Sequence, residues 1–149
     1  MNSRTAPVVS YRATAQRAFG HGSDVAVKVV AWSEGDVIGN ASGLVGEEGS
    51  YVWREVEALA DKRLSRDVEV VGYVETVEVV PAFRGRGIGL RLVGRIVAEM
   101  RKNGADEIWL AAVAYEDDTI ENRNRLARLY AKVGFRKVRD GSSAMVWRK

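Results

Sequence analysis

The residues best suited to chemistry form the run Val77-Glu78-Val79-Val80-Pro81-Ala82-Phe83-Arg84-Gly85-Arg86-Gly87-Ile88-Gly89. A valine-rich strand stops at Pro81, a turn with glycines at alternate positions follows, and a helix opens at Ile88. Glycine lets the backbone turn tightly and approach a ligand, and the first amides of the helix are left pointing outward. Those amides and the positive end of the helix dipole make an anion site, to which Arg84 and Arg86 add charge. A dinucleotide fingerprint would need a further glycine at Leu90 or Leu92, and a Walker loop would need Gly-Lys-Ser/Thr; neither is present. An RNA-binding Arg-Gly tract would normally lie in a disordered segment rather than between a strand and a helix. A purely structural turn is the remaining alternative to a pyrophosphate site.

Other chemistries are bounded by composition. There is no cysteine, which excludes thiolate metal sites and a catalytic thiol, and the single histidine, His21, argues against a zinc site or a serine–histidine triad; no metal is expected. The 149 residues suit one domain, and 46% hydrophobic content allows it a core. No apolar signal run opens the sequence and no stretch is long enough to cross a bilayer, so the expectation is a cytoplasmic protein without membrane contact. The net charge of +3 is unevenly spread: residues 84–102 hold six cations against Glu99, and residues 122–139 hold seven and no acid. Acids gather at Glu47, Glu48, Glu55 and Glu57 and again at Glu116, Asp117, Asp118 and Glu121. An anionic cofactor on one side and a cationic substrate on the other would fit, as would solvated helix faces.

The elements that must position these residues follow from periodicity. Strands are predicted over Val8–Phe19, Val25–Trp32, Val37–Val45, Val68–Val80 and Ile108–Ala114, with a closing hairpin of Phe135–Arg139 and Ala144–Trp147 around Asp140-Gly141. Helices are predicted over Tyr51–Leu64, Ile88–Lys102 and Arg123–Val133, each with apolar residues at i, i+3, i+4 spacing. The sum is an α/β (α+β) chain with a mixed, mostly antiparallel central sheet and flanking helices. Glu75 and Glu78 sit on the valine-rich strand three residues apart, so alternation puts them on opposite faces unless the strand bulges.

Arg84-x-x-Gly87-x-Gly89 after a Val-x-Val-x-Pro strand end resembles the acyl-CoA-binding signature of GNAT acetyltransferases. Leu129-Tyr130-Ala131-Lys132-Val133-Gly134-Phe135 resembles that family's closing helix. The resemblance covers roughly Val68 to Trp147 and departs in two respects: the family's first two helices, between its first and second strands, have no room here, and its asparagine ahead of the closing helix is out of register, with Asn122 and Asn124 flanking the expected place. It implies acetyl-CoA as cosubstrate, held by Arg84, Gly85, Arg86, Gly87, Ile88 and Gly89. The backbone of Val77 and Val79 would lie along the thioester, and Asn122 or Asn124 would stand for the family's asparagine. It implies Tyr130 as the acid that protonates the CoA thiolate; without the family, Tyr130 reads as a core tyrosine.

Gly72-Tyr73-Val74-Glu75-x-Val77-x-Val79 resembles the same stretch of aminoglycoside 2′-acetyltransferases, which implies Glu75 as a water-mediated base with Glu78 and Tyr73 as rivals. Tyr115-Glu116-Asp117-Asp118-Thr119-Ile120 and the final hairpin are similar to small GNAT proteins of phages and mobile elements. That likeness implies an open site for a protein lysine or another bulky amine; a polyamine or aminoglycoside is the small-molecule alternative, and a homodimer is compatible. A basic nucleic-acid-binding module is the alternative of another class. Against it, the cations do not interleave with aromatics and they collect where CoA phosphates would lie.

Overall fold

Valine-rich segments with period-two alternation pair into one seven-stranded sheet in the order β1-β2-β3-β4-β5-β7-β6. The strands are β1 Ser10–Arg17, β2 Val25–Ser33, β3 Asp36–Glu47, β4 Val70–Val79, β5 Glu107–Ala111, β6 Arg136–Lys137 and β7 Ala144–Arg148. Among the described residues three α-helices join them: α1 Tyr51–Ala60, α2 Ile88–Lys102 and α3 Ile120–Ala131. The computed structural model describes residues 8–18, 24–113 and 118–149. Phe19, His21, Ala114, Tyr115, Glu116 and Asp117 fall outside the described residues. Every neighbouring pair in the sheet is antiparallel except β4–β5, which is parallel because α2 supplies the crossover. The mixed, mostly antiparallel architecture expected from the sequence is the one found.

Each face of the sheet carries its own core. Val27, Val29, Ala31, Ala41, Val45, Val74, Ile108 and Leu110 pack under Leu92, Val93, Ile96 and Met100 of α2 and Ala127 and Tyr130 of α3. On the other face Leu44, Val71, Trp109 and Val146 pack with Val52, Trp53 and Val56 of α1. Fully burying a valine or leucine side chain stabilises by about 1.5–3 kcal/mol, so these strand residues specify which face is which. Helix α2 crosses β1 to β4, whereas α1 lies chiefly over β3 and β4.

Where boundaries differ from the sequence reading, a cap or a turn is the cause. Helix α1 stops at Ala60 rather than Leu64 because Asp61 adopts φ 54°, and the amides of Asp61 and Lys62 close onto the carbonyls of Ala58 and Glu57. Helix α3 starts three residues earlier than expected, at Ile120, because Thr119 accepts from Asn122 N at 3.2 Å. Ile120 is 75% exposed and so adds nothing to the apolar periodicity. Helix α3 also ends at Ala131 rather than Val133, and β6 is only two residues long. Strand β4 starts at Val70, where Asp106 Oδ2 accepts from Glu69 N at 2.9 Å and Val70 N at 3.1 Å. Helix α2 has the predicted ends.

Gly43 decides how closely β3 and β4 approach under α2. A Cβ there would meet the Tyr73 carbonyl oxygen and would lie 2.6 Å from Met100 Cε. Gly43→Ala is therefore expected to lower stability in urea unfolding by about 1–3 kcal/mol. Gly94→Ala, in the middle of α2 with nothing within 4 Å, is expected to raise it by about 0.5–1 kcal/mol. Equal effects would show that the close approach at Gly43 is not a constraint.

Candidate active site

The parallel ladder between β4 and β5 has only three pairs, Val71↔Glu107, Gly72↔Ile108 and Tyr73↔Trp109. Beyond Tyr73, β4 continues along β3 alone as far as Val79. Val80 N donates to Ile38 O at 2.8 Å, so by alternation Val77 and Val79 turn their N–H and C=O groups away from β3, into the gap. Arg84 agrees with this orientation: its Nε donates to Val79 O at 3.0 Å from the side away from β3. The two backbone positions expected to lie along a thioester thus sit on the open edge of a split sheet.

The first turn of α2 adjoins that edge, a Cβ at Gly89 lying 3.8 Å from Val79 Cγ2. Gly87 is the N-cap, with φ 78°, ψ 8° and no side-chain cap, so the leading amides of α2 keep their donors for something outside the helix. Gly85 has φ 79°, and a Cβ at Gly85 or Gly87 would meet nothing within 4 Å. Glycine is required there by the left-handed backbone, and the space in front is open. That is a cradle of the right kind for a pyrophosphate. Ile88 is buried in the core, so only its backbone can reach a ligand. Arg86 lies over the Phe83 ring at 5.0 Å, and Arg84 ties the turn to the end of β4.

The carboxylates are settled by a bulge. Ser42 pairs with Thr76 and Gly43 with Val74, which leaves Glu75 as the extra residue of β4. Before the bulge Val71 and Tyr73 belong to the α1 face; after it Val77 and Val79 belong to the α2 face. The change of parity puts Glu75, Thr76 and Glu78 together on the α1 face, and both glutamates are exposed. The opposite-face arrangement expected for an unbulged strand does not occur.

Tyr130 is 7% exposed and belongs to the same buried cluster as Val74, Leu110 and Ala112, with Phe135 edge-on at 6.3 Å. Burial pushes its phenol above the ordinary tyrosine range, and the positive charge of Arg125 opposes this. Asn122 and Asn124 separate on α3: at 100° per residue Asn122 lies on the Tyr130 side and is half-buried, while Asn124 turns away and is exposed. Asn122 also anchors the helix start, its N–H donating to Thr119 Oγ1 and its Oδ1 accepting from Arg125 Nε at 3.5 Å. Of the acidic stretch before α3, Asp118 is engaged by Arg123, a fork that holds its carboxyl below the usual range.

Sequence reasoning missed the surface beside the glutamates. Trp32 and Val37 are 38% and 47% exposed on the α1 face, opposite each other on β2 and β3. Lys28 within the apolar run from Ala26 to Trp32 marked the outward face in the sequence, but the missing cover could be seen only once α1 was placed. Two cavities of about 390 Å³ lie elsewhere, one between Lys62, Glu107 and Arg148 and one beside Arg101, Lys102 and Lys149. Among the described residues no group of His, Cys, Asp and Glu could hold a metal, and no helix is long and apolar enough to cross a membrane.

Comparisons with known proteins agree with this fold. An N-alpha-acetyltransferase of Arabidopsis thaliana, MAK3, is 36% identical over 64 residues, which is 43% of this chain and 30% of that protein. The NAA60 structure of Arabidopsis thaliana, in complex with a bisubstrate analogue, superposes with a TM-score of 0.55 at 20% identity, covering 83% of this chain and 76% of that one. The PaiA N-acetyltransferase of Thermoplasma acidophilum, in complex with coenzyme A, superposes with a TM-score of 0.50 at 17% identity, covering 83% and 61%. The chain thus spans under a third of the curated relative. A model of the acetyltransferase (GNAT) family matches residues 4–135, and the chain belongs to the GNAT acetyltransferase family.

Proposed function

We propose that the chain is an acetyl-CoA-dependent N-acetyltransferase whose acceptor is a primary amine carried on a polypeptide. The observation that carries this reading is the split between β4 and β5, whose open backbone edge adjoins the uncapped first turn of α2. The amides at Gly87, Ile88 and Gly89 and the charges of Arg84 and Arg86 hold the pyrophosphate. When bound, acetyl-CoA supplies an acyl group activated as a thioester. Val79 N–H polarises its carbonyl oxygen, with Val77 N–H on the same edge. Asn122, on the Tyr130 side of α3, is the asparagine that serves the cofactor side.

The acceptor amine approaches from the α1 face, where Glu75 and Glu78 lie and which α2 and α3 leave free. Its nitrogen attacks the carbonyl carbon and the carbon–sulfur bond breaks. The amine proton passes through water to Glu75, and Tyr130 gives its proton to the departing thiolate. A protein amine, whether a lysine or the N-terminus of the acceptor polypeptide, is supported by the openness of this face. The N-alpha-acetyltransferase name of the curated relative points the same way. Action in the cytoplasm, where acetyl-CoA and protein acceptors meet, accords with this, as does the likeness to small phage and mobile-element proteins. Nucleic-acid binding gains no support from a split sheet.

Calorimetry with acetyl-CoA tests the cofactor site. The wild type binds, and Gly87→Trp/Gly89→Trp weakens binding by about 10- to 100-fold, the worth of one charge-assisted hydrogen bond or more. No binding to the intact protein overturns the reading, and preferred turnover of spermidine or an aminoglycoside over every peptide replaces the acceptor class.

Among the catalytic groups, Tyr130→Phe is expected to lower kcat about a hundredfold while acetyl-CoA affinity stays unchanged. Because burial raises the Tyr130 pKa above the ordinary value of about 10, the phenol stays protonated below that point. The kcat profile should then hold its plateau at pH 9 rather than fall. Glu75→Gln should lower kcat by more than Glu78→Gln; the reverse order would move the base to Glu78.

A further inference from the structure

The α1 face of the sheet carries a transverse ladder that runs away from the glutamates. Register places Arg12 of β1 opposite Val30 of β2, Val30 opposite Asn40 of β3, and Asn40 opposite Glu78 of β4. The row on one side is Thr14, Lys28, Ser42 and Thr76, and on the other side Trp32 pairs with Val37. Tyr11, Val27, Val29 and Ala31 pack toward α2, so the alternate residues Arg12, Lys28, Val30 and Trp32 are on this face. It is half-wet and hydrogen-bonding throughout: Val30, Asn40, Ser42 and Thr76 are partly exposed, and Arg12, Lys28 and Glu78 are exposed. Among the described residues neither Arg12 nor Lys28 is held in an ion pair.

Charge is therefore graded along the rows. The end at the gap is acidic, through Glu75 and Glu78, and the far end is basic, through Lys28 two strands away and Arg12 three strands away. At a strand spacing of about 4.8 Å these cations stand about 10–14 Å from the glutamate edge, which is about three to four residues of extended chain. We propose that the acceptor is an extended polypeptide laid across β4, β3, β2 and β1. Its amine stands at Glu75 and Glu78, and an acidic side chain three to four residues away is read by Lys28 and Arg12.

This rests on the amine-acetyltransferase reading and adds a sequence preference to it. Asn40, Ser42 and Thr76 offer hydrogen bonds to the peptide on the way, and Trp32 with Val37 offers an apolar contact. A polycationic small molecule meets like charge at the far end, so polyamines and aminoglycosides are disfavoured by the same two cations.

The test uses lysine-free peptides with a free N-terminus and one glutamate moved from residue 3 to residue 8, each against its glutamine control. The readout is kcat/KM from CoA release. With the wild type, glutamate at residue 4 or 5 is expected to raise kcat/KM about fivefold, as for an exposed ion pair of good geometry. Arg12→Glu/Lys28→Glu should lose that preference and favour lysine at the same residues, while its acetyl-CoA affinity is unchanged. Arg12→Gln/Lys28→Gln, with neutral side chains, should show no preference and serves if the reversed variant fails to fold. Acetylation indifferent to glutamate position, or a preference that survives in the variants, overturns the proposal. Acetyl-CoA binding with no peptide acetylated overturns it too, whereas absence of acetyl-CoA binding overturns the reading beneath it.

Discussion

Everything at the site follows from a parallel ladder that ends after three residue pairs. Parallel strands need a crossover, and here α2 supplies it, so β4 and β5 are joined at their starts: Asp106 Oδ2 accepts from Glu69 N and Val70 N, and Asp106 N donates to Val70 O at 2.8 Å. Past Tyr73 the two strands answer to different neighbours. β4 stays with β3 through a bulge at Glu75, and β5 stays with β7, whose approach is extended by Ala112 N donating to Ser143 O at 2.8 Å. A bulge bends and twists its strand, so the departure of β4 is written into the spacing of Ser42, Gly43, Val74 and Thr76. Backbone groups exposed along such an edge must be met by water or by a ligand, and an open edge left idle invites unwanted pairing. A cosubstrate with an amide-bearing arm and a carbonyl at its end is a natural occupant.

The same bulge separates, in the proposed reaction, the cofactor side from the acceptor side. Without it, Glu78 would share the face of Val74 and be pressed into the core under α2, where an unpaired carboxylate is costly. With it, Val77 and Val79 continue the apolar face while both glutamates join the open one. Helices α2 and α3 then pack on the other face, where the proposed cofactor side takes the amides at Gly87 and the buried phenol of Tyr130, and leave the glutamate face uncrowded. In the proposed role of Tyr130 as the acid, the burial that raises its pKa would also keep its proton in place until a thiolate departs.

The sequence made the cofactor side legible because its signals are local. Alternate glycines between a valine strand and an amphipathic helix demand a left-handed turn, and Gly85 and Gly87 adopt it at φ 79° and 78°. The periodicity of Leu92, Val93, Ile96 and Met100 gave α2 its ends. Long-range facts were less visible. Whether Glu75 and Glu78 share a face depends on how β4 registers against Ser42 and Gly43, thirty residues away, and no property of the strand itself states it. The start of α3 hid behind the exposed Ile120, and the stop of α1 behind Asp61, a residue that reads as one more helical surface charge. The ladder from Glu78 to Arg12 needs four strands in register before it exists at all.

The placement of α1 makes the proposed acceptor face a fixed feature rather than the product of a lid left open. Its N-terminus is tied to the start of β2, where the buried Asp24 accepts from Val52 N at 3.2 Å while Ser50 caps Trp53 N at 3.2 Å. Gly46 has no side chain because the Asp24 carboxylate, the Ser50 hydroxyl and Val52 already fill the space where a Cβ would project. The helix body is held by Val52, Trp53 and Val56 against Leu44, Val71 and Trp109. To slide over the Ser42 and Asn40 rows, α1 would have to uncover that cluster and leave a buried carboxylate without its donor, a cost of several kcal/mol by ordinary magnitudes, roughly 1–3 for the lost hydrogen bond alone. The rows from Thr76 and Glu78 outward therefore stay open, which is what the proposed polypeptide acceptor requires.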